Sequence, residues 1–339
     1  MKVGLCGLGP MGRSHVQLLT QHGDIELVAV ADVQEAPRKE IGEQFGVSTY
    51  ESGEALIDAK IADVIFVCAP TYLHSPLTVR ALEAGHHVFC EKPMSRTPEE
   101  CMPMIEASER TGKMLTIGQV LRFWPEYVFL KNAIDGGEYG KLQTLSMTRV
   151  GGVSTGFERW FLDEDRGGMQ IFDRHIHDTD LTLWMLGRPK SVQSFGFEMD
   201  ARTEGGIVHS FTRYKFDDVA VSAEGSADLP AGYPFTMSYT AVFDNAAIEY
   251  DNRQSPTLSL FDGSGDIKHP ELPSPLGDLQ AGLNISSSSG YFLEQAYLFD
   301  CIRNGVKPEI VTPRSAMETI EVVRAEIASV RQGGAPIAL

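Results

Sequence analysis

The first 120 residues alternate short, continuous apolar runs with segments of helical period. Lys2 to Gly7 is a β-type run that leads into a helical stretch ending near Gln21. IELVAVAD (25–32), DVIFVCAP (63–70), HHVFCEKP (86–93) and MLTIGQV (114–120) follow, separated by helical segments at 35–45, 74–84 and 98–111. Strands that are apolar on both faces, with helices between them, predict a parallel sheet covered on both sides. After Gly118 the pattern changes. Arg122 to Ile134 reads as a helix, and KLQTLSMTRV (141–150) alternates with period two. SVQSFGFEM, GIVHSFTRYKF, VAVSAEGSA, FTMSYTAVF and AAIEYD follow as β-type runs, with Gly, Asp and Pro between them. This predicts a large, mostly antiparallel sheet with one face on helices. Its other face, alternating Val, Phe, Tyr and Met, has to meet something, and subunit contact is the expectation. Residues 263–290 read as a surface loop, and the amphipathic helices near 290–304 and 313–331 as packing elements.

The first turn adds chemistry to this pattern. G-L-G-P-M-G follows the first strand, and Asp32 ends the second strand twenty residues past Gly12. Gly7 permits a tight turn, Gly9 lets the backbone approach a pyrophosphate, and Gly12 lets helix and strand pack closely. The helix N-terminus offers N–H groups and a partial positive charge to phosphates. A carboxylate at the end of the second strand accepts from both ribose hydroxyls and repels a 2′-phosphate, so NAD is expected over NADP. The expected fold is α/β: a doubly wound Rossmann domain over 1–120, then an α+β domain over 121–339 with a large open-faced sheet. The second domain is expected to bind substrate and to mediate oligomerisation, with the C-terminal helices packing back on the first.

Composition narrows the partners. A formal charge of −17 argues against nucleic acid or an anionic membrane, which need clustered Lys and Arg. Five scattered cysteines without a C-x-x-C pair read as reduced thiols, and no apolar run approaches the ~18 residues of a membrane span. A soluble, cytoplasmic protein is expected.

Residues 172–180 read FDRHIHDTD. On an ideal helix, at about 100° per residue, Asp173, His177 and Asp180 fall within roughly 60° of one another. His175 and Asp178 then point to the other side, where a solvated surface is expected, and Asp180 can hold the helix or the histidine. A zinc site needs three or four ligands. No other Cys or His cluster completes one, because His86 and His87 sit at the start of a strand, so no metal is expected. A second candidate is C-E-K-P (90–93): Lys92 directly follows a buried strand and sits on a short turn before proline. On the sheet edge of the glycine-rich turn, its ammonium can orient a hydroxyl and lower its pKa.

With these residues in place, the sequence resembles the glucose–fructose oxidoreductase / inositol dehydrogenase / rhizopine-catabolism (Gfo/Idh/MocA) dehydrogenases over nearly its whole length. The resemblance rests on GLGPMG, the AP-T-Y-L-H stretch, AL-x-AG-x-HV-x-x-EKP (81–93), RFWPEY (122–127) and GG-x-x-x-x-D-x-x-x-H-x-x-D (167–180). It implies that Lys92, Asp173 and His177 are catalytic. It places Gly7, Gly9, Gly12, Asp32, Thr71, Glu91 and Lys92 around NAD, with Pro10, Met11, Pro70, His74 and Gln119 as neighbouring candidates. A cis Lys92–Pro93 peptide and association into dimers or tetramers through the second sheet are also implied.

A metal-free alcohol dehydrogenase must take a proton from the hydroxyl while hydride leaves the same carbon. Histidine suits this because its ordinary pKa lies near working pH. Asp173 can accept from substrate hydroxyls or stabilise the imidazolium, and Lys92 supplies charge to the forming alkoxide. The resemblance implies a sugar, inositol or related polyol as substrate. The segment departs from the family pattern at His175 and Thr71. Arg174 is more suggestive, since a guanidinium there can grip a carboxylate bidentately, as an acidic sugar would need, or pair with Asp163, Glu164 or Asp165. Arg122, Trp124, Arg159, Trp160 and Tyr233 complete the pocket candidates. Two other readings stand beside the dehydrogenase: a glycosidase-like lyase that retains NAD, and a non-catalytic nucleotide-sensing regulator.

Overall fold

The computed structural model describes residues 1–152, 160–161, 163–198, 206–277 and 288–339. They divide into two units, the first built from Met1–Val120 with Gly290–Ile320 and the second from Leu121–Gly277 with Glu321–Leu339.

The first unit is a six-stranded parallel sheet: β1 (Lys2–Cys6), β2 (Glu26–Ala31), β3 (Ser48–Tyr50), β4 (Val64–Val67), β5 (His87–Cys90) and β6 (Leu115–Ile117). Their order is β3-β2-β1-β4-β5-β6, the doubly wound arrangement. The apolar runs bury because helices cover both faces. Val3, Leu5, Phe66 and Phe89 pack with Leu298 and Phe299 in one core cluster. Connecting helices are α1 (Pro10–Leu19), α2 (Glu35–Phe45), α3 (Gly53–Asp58), α4 (His74–Glu83) and α5 (Pro98–Thr111). Local chemistry sets the ends of α5: Thr97 Oγ1 accepts from the Glu100 N–H, Pro98 opens the first turn, and Gly112 closes the last with φ +67°. The short elements β3 and α3 lie outside the pattern of apolar runs; Ser52 caps α3 through Ala55 N–H.

In the second unit α6 (Pro125–Gly136) precedes a sheet of β7 (Leu142–Val150), β8 (Ser191–Glu198), β9 (Ile207–Lys215), β10 (Ala220–Ser226), β11 (Thr236–Phe243), β12 (Ala247–Asp251), β13 (Leu258–Phe261) and β14 (Ile337–Ala338). The strand order is β13-β12-β11-β7-β10-β9-β8-β14. Every pairing is antiparallel except β7 with β10. Alternation directs Leu145, Met147 and Arg149 of β7 inward with Val221, Ala223, Met237 and Tyr239, while Phe195, Phe197 and Phe211 stand exposed on the outward face. A π-helical turn, Ile171–His175, runs into α7 (Ile176–Leu186). The chain closes with α8 (Ser289–Asn304) and α9 (Pro313–Arg331). Of the expected 263–290 loop, residues 278–287 lie outside the described residues. Among the described residues no helix is long and apolar enough to cross a membrane.

Candidate functional site

The glycine-rich turn is shaped by contacts that admit no side chain. Gly7 has φ +98°, and a Cβ there would stand 2.5 Å from the Cys68 carbonyl oxygen. A Cβ on Gly12 would stand 1.8 Å from the Gly7 carbonyl oxygen, which forces glycine where α1 meets β1. At Gly9 the space is open: among the described residues nothing lies within 4 Å of an added Cβ. Gly9 is the N-cap of α1 and offers no side-chain cap, so first-turn N–H groups remain for an anion. Asp32 is tied to this turn, its Oδ2 accepting from Leu8 N–H (2.6 Å) and its Oδ1 from Gln34 N–H (2.8 Å). A carboxylate has about four acceptor positions, so two remain for a diol. At the end of β6 the Gln119 amide is buried with neither Oε1 nor Nε2 hydrogen-bonded among the described residues. An open cradle, an uncapped helix, an anchored carboxylate and an unsatisfied amide fit a dinucleotide. Gly9 and Pro10 are exposed, Met11 and Pro70 partly so, and Thr71 is buried.

The turn after β5 is braced on two sides. The Lys92–Pro93 peptide is cis, as expected. Glu91 Oε2 accepts from the Lys92 N–H (3.0 Å), and Glu91 Oε1 lies 2.6 Å from His15 Nε2 on α1. The Gln295 amide meets His15 Nδ1 at 2.8 Å, which leaves His15 Nε2 carrying the proton that Glu91 accepts. Gln295 Oε1 in turn accepts from His22 Nε2 (3.1 Å). Nothing in the local sequence pattern singles out His15, and its partners come from distant segments. His74 is buried as a clamp: Nδ1 lies 2.8 Å from the Pro93 carbonyl and Nε2 2.8 Å from the Ala69 carbonyl. It joins the turns that follow β4 and β5. Lys92 itself is partly exposed.

The segment 172–180 departs from an ideal helix at its start. The Ile176 N–H reaches back to the Ile171 carbonyl, a π-type step that inserts one residue. The 100° wheel therefore does not describe Asp173 relative to α7. His175 and Asp178, expected at the surface, are both fully buried. Asp178 accepts from Arg149 Nε (3.0 Å) and Nη2 (2.9 Å), and Arg149 Nη2 also meets Tyr127 OH (3.1 Å). Asp180 accepts from Arg122 Nε (2.9 Å) and Nη2 (2.7 Å), so it holds the helix. Arg122, expected in the pocket, is thus committed to an internal ion pair, and Trp124 is buried in the core. Arg174 donates to the carbonyls of Ser226 (3.0 Å) and Gly152 (2.6 Å), with its Nε 3.9 Å from Asp173 Oδ2. That replaces the expected carboxylate-binding role, and Asp163, Glu164 and Asp165 are not its partners. Asp173, Arg174 and His177 are partly exposed, whereas His175, Ile176 and Asp178 to Asp180 are buried. Trp160 stacks on Phe161 at 4.1 Å, Tyr233 is exposed on a turn, and Arg159 lies outside the described residues. Among the described residues no three His, Cys, Asp or Glu side chains gather as a metal would require.

Residues 1–119 match the family model described as oxidoreductase family, NAD-binding Rossmann fold, and residues 127–249 match the GFO/IDH/MocA C-terminal domain. The chain is 28% identical to scyllo-inositol 2-dehydrogenase (NAD(+)) of Bacillus subtilis over 342 residues, covering 98% of this chain and 95% of that one. It is 32% identical to D-glucoside 3-dehydrogenase of Escherichia coli over 204 residues, 58% of each chain; the match thus spans little more than half of that relative. A solved structure of levoglucosan dehydrogenase, in complex with NADH and levoglucosan, superposes with TM-score 0.87 at 17% identity, covering 100% of this chain and 99% of the other.

Proposed function

The chain belongs to the GFO/IDH/MocA oxidoreductase family, and from that premise we propose that it oxidises a secondary hydroxyl of a sugar, an inositol or a related polyol with NAD as acceptor. The observation that carries this reading is the state of residues 173–180. His175, Asp178, Thr179 and Asp180 are locked inside the fold, and Asp173 and His177 keep partial exposure. Nicotinamide supplies the hydride acceptor; the chain manages the proton. His177 takes the hydroxyl proton as general base, a contribution of about 10²–10⁴-fold. Asp173 accepts from substrate hydroxyls and stabilises the imidazolium that forms. Lys92, on its braced turn, lowers the hydroxyl pKa and stabilises the developing alkoxide. Because the Arg174 guanidinium is spent on two carbonyls, a neutral polyol is favoured over an acidic sugar.

Asp32 supports a preference for NAD over NADP, since two backbone N–H groups fix its carboxylate where a 2′-phosphate would meet it. The exposed Phe195, Phe197 and Phe211 on the outward sheet face support association into a dimer or tetramer, and five cysteines without a disulfide among them support a reducing, cytoplasmic setting.

The test is absorbance of reduced cofactor with NAD and, separately, NADP across inositols, neutral sugars and uronates. Lys92→Ala should lose turnover by at least about 10²-fold while still binding NAD. Full activity in that variant would sink the mechanism. Cofactor that stays bound with no net NADH release would move the reading to the lyase, and NAD binding without turnover to the regulator.

A further inference from the structure

Beneath the π-helical turn lies a buried polar cluster that no step of the proposed chemistry uses. His175 leaves the turn inward. Its Nε2 is 2.9 Å from Thr212 Oγ1 and 3.5 Å from Tyr214 OH, both on β9, and 3.5 Å from Glu326 Oε2 on α9. Glu326 is fully buried, and its Oε1 accepts from Thr179 Oγ1 (3.0 Å) on the first turn of α7. Thr179 Oγ1 is also 3.0 Å from Tyr214 OH, and Thr212 Oγ1 is 2.8 Å from Ser194 Oγ on β8. Glu326 thus bonds α7 directly and reaches the sheet through Thr179 and Tyr214, and His175 ties the π-helical turn to the same strand through Thr212. Glu326 Oε2 has no hydrogen-bond partner among the described residues. Glycine at 225 makes room for the His175 ring, since a Cβ there would stand 2.8 Å from His175 Nδ1. A π-helical turn is rare and gains nothing from propensity, so tertiary contacts have to hold it.

We propose that His175 and Glu326 are positioning residues: through Thr179, Thr212 and Tyr214 they fix the turn that carries Asp173 and the first turn that carries His177. This rests on the reading of Asp173 and His177 as the acid/base pair. Around them the cluster is uncharged near neutrality. Burial pushes Glu326 up to about 8 and His175 down to about 3. The ionisable groups that face Glu326 are His175 on the turn, Tyr214 on β9 and Asp178 on α7, the last paired with Arg149 on β7. A neutral carboxyl donates and accepts at once, whereas a carboxylate can only accept. Thr179 donates to Glu326 in either state, so what ionisation adds is an uncompensated buried anion near Asp178.

The experiment is Glu326→Gln, whose amide keeps a donor and an acceptor and does not ionise. For wild type, kcat on the best polyol, relative to its own value at pH 6.5, should fall above about pH 8, approaching tenfold per pH unit. KM for NAD should stay level. In the variant, scaled the same way, that fall should vanish. Hydrogen exchange across 171–182, corrected for its intrinsic base dependence, reads the same event without turnover. Protection should weaken as pH rises through about 8 in wild type and hold in Glu326→Gln. An alkaline limb and an exchange profile unchanged by the substitution would overturn the proposal. If wild type turns over no polyol while exchange follows the expected pattern, the assigned activity fails and the positioning network stands.

Discussion

Asp178→Asn tests whether the buried ion pair, rather than helix propensity, holds the segment that carries His177. Arg149 and Asp178 have side chains 2% and 0% exposed, and two hydrogen bonds of 3.0 and 2.9 Å join them. Asparagine preserves the shape but removes the charge that balances a guanidinium with almost no water. Removing one partner of such a pair typically costs about 3–5 kcal/mol, because the other charge stays buried. At about 2–4 °C per kcal/mol for a unit of this size, the expected drop in Tm is roughly 6–20 °C. The three tryptophans, Trp124, Trp160 and Trp184, all belong to the second unit, so fluorescence-detected urea unfolding reports its stability separately from the first. The double substitution Arg149→Met with Asp178→Leu leaves no stranded charge. It should recover most of the loss, since well-packed apolar replacements of buried pairs are often neutral or stabilising. A loss under about 1 kcal/mol for Asp178→Asn, or a double variant as unstable as the single one, would refute the reasoning.

The remaining expectations are shorter. Gly12→Ala should abolish NAD binding or soluble expression, read by calorimetry, because its Cβ would stand 1.8 Å from the Gly7 carbonyl oxygen and backbone cannot yield that far. Asp32→Ser should raise KM for NAD by at least about tenfold and narrow its advantage over NADP; an unchanged cofactor ratio would remove Asp32 from recognition. The buried pair should also shape stability against pH. Glu326, raised from 4.5 to about 8, contributes stability fully present below 4.5 and lost as pH rises through 8. His175, lowered from 6.5 to about 3, contributes stability fully present above 6.5 and lost as pH falls through 3. Between 4.5 and 6.5 the two slopes cancel; from 6.5 up to about 8, and from 4.5 down to about 3, the second unit should lose up to about 1.4 kcal/mol per pH unit. Glu326→Gln should flatten the alkaline side of the urea midpoints, and a wild-type profile level from pH 6.5 to 8 would contradict the burial effect. Phe197→Asp with Phe211→Asp should shift the species seen by light scattering to monomer; an unaltered mass would exclude the outward face as the interface.

The parallel sheet was legible because its signals are local. Apolar runs, glycines at fixed offsets and a terminal aspartate each constrain one turn of chain, and they agree. The Lys92 turn was legible for the same reason. Residues 172–180 were not, and two physical reasons account for it. A π-type step adds a residue without leaving any mark in hydrophobic period, so a projection at about 100° per residue misplaces Asp173 relative to α7. The burial of Asp178 and Asp180 depends on arginines 29 and 58 residues earlier in the chain, which no local window contains. A signal was nevertheless present. Arg149 shares the inward register of β7 with Leu145 and Met147, and an arginine facing a core demands a carboxylate. His15 and Gln295 carried no comparable mark, since each is an ordinary polar residue in an amphipathic helix.

The fixed partners of Arg174, His175 and Asp178 to Asp180 bear on how such a chain can diversify. Arg174, His175, Asp178, Thr179 and Asp180 each answer to a partner on another element. A single change at any of them strands a charge or a donor and is removed by selection before it can explore a new ligand. Drift across these positions must proceed in coupled pairs, which are rare. The segment that looks richest in chemistry is therefore the least evolvable part of the site, and a descendant acting on a different polyol would inherit it whole while varying the loops around it.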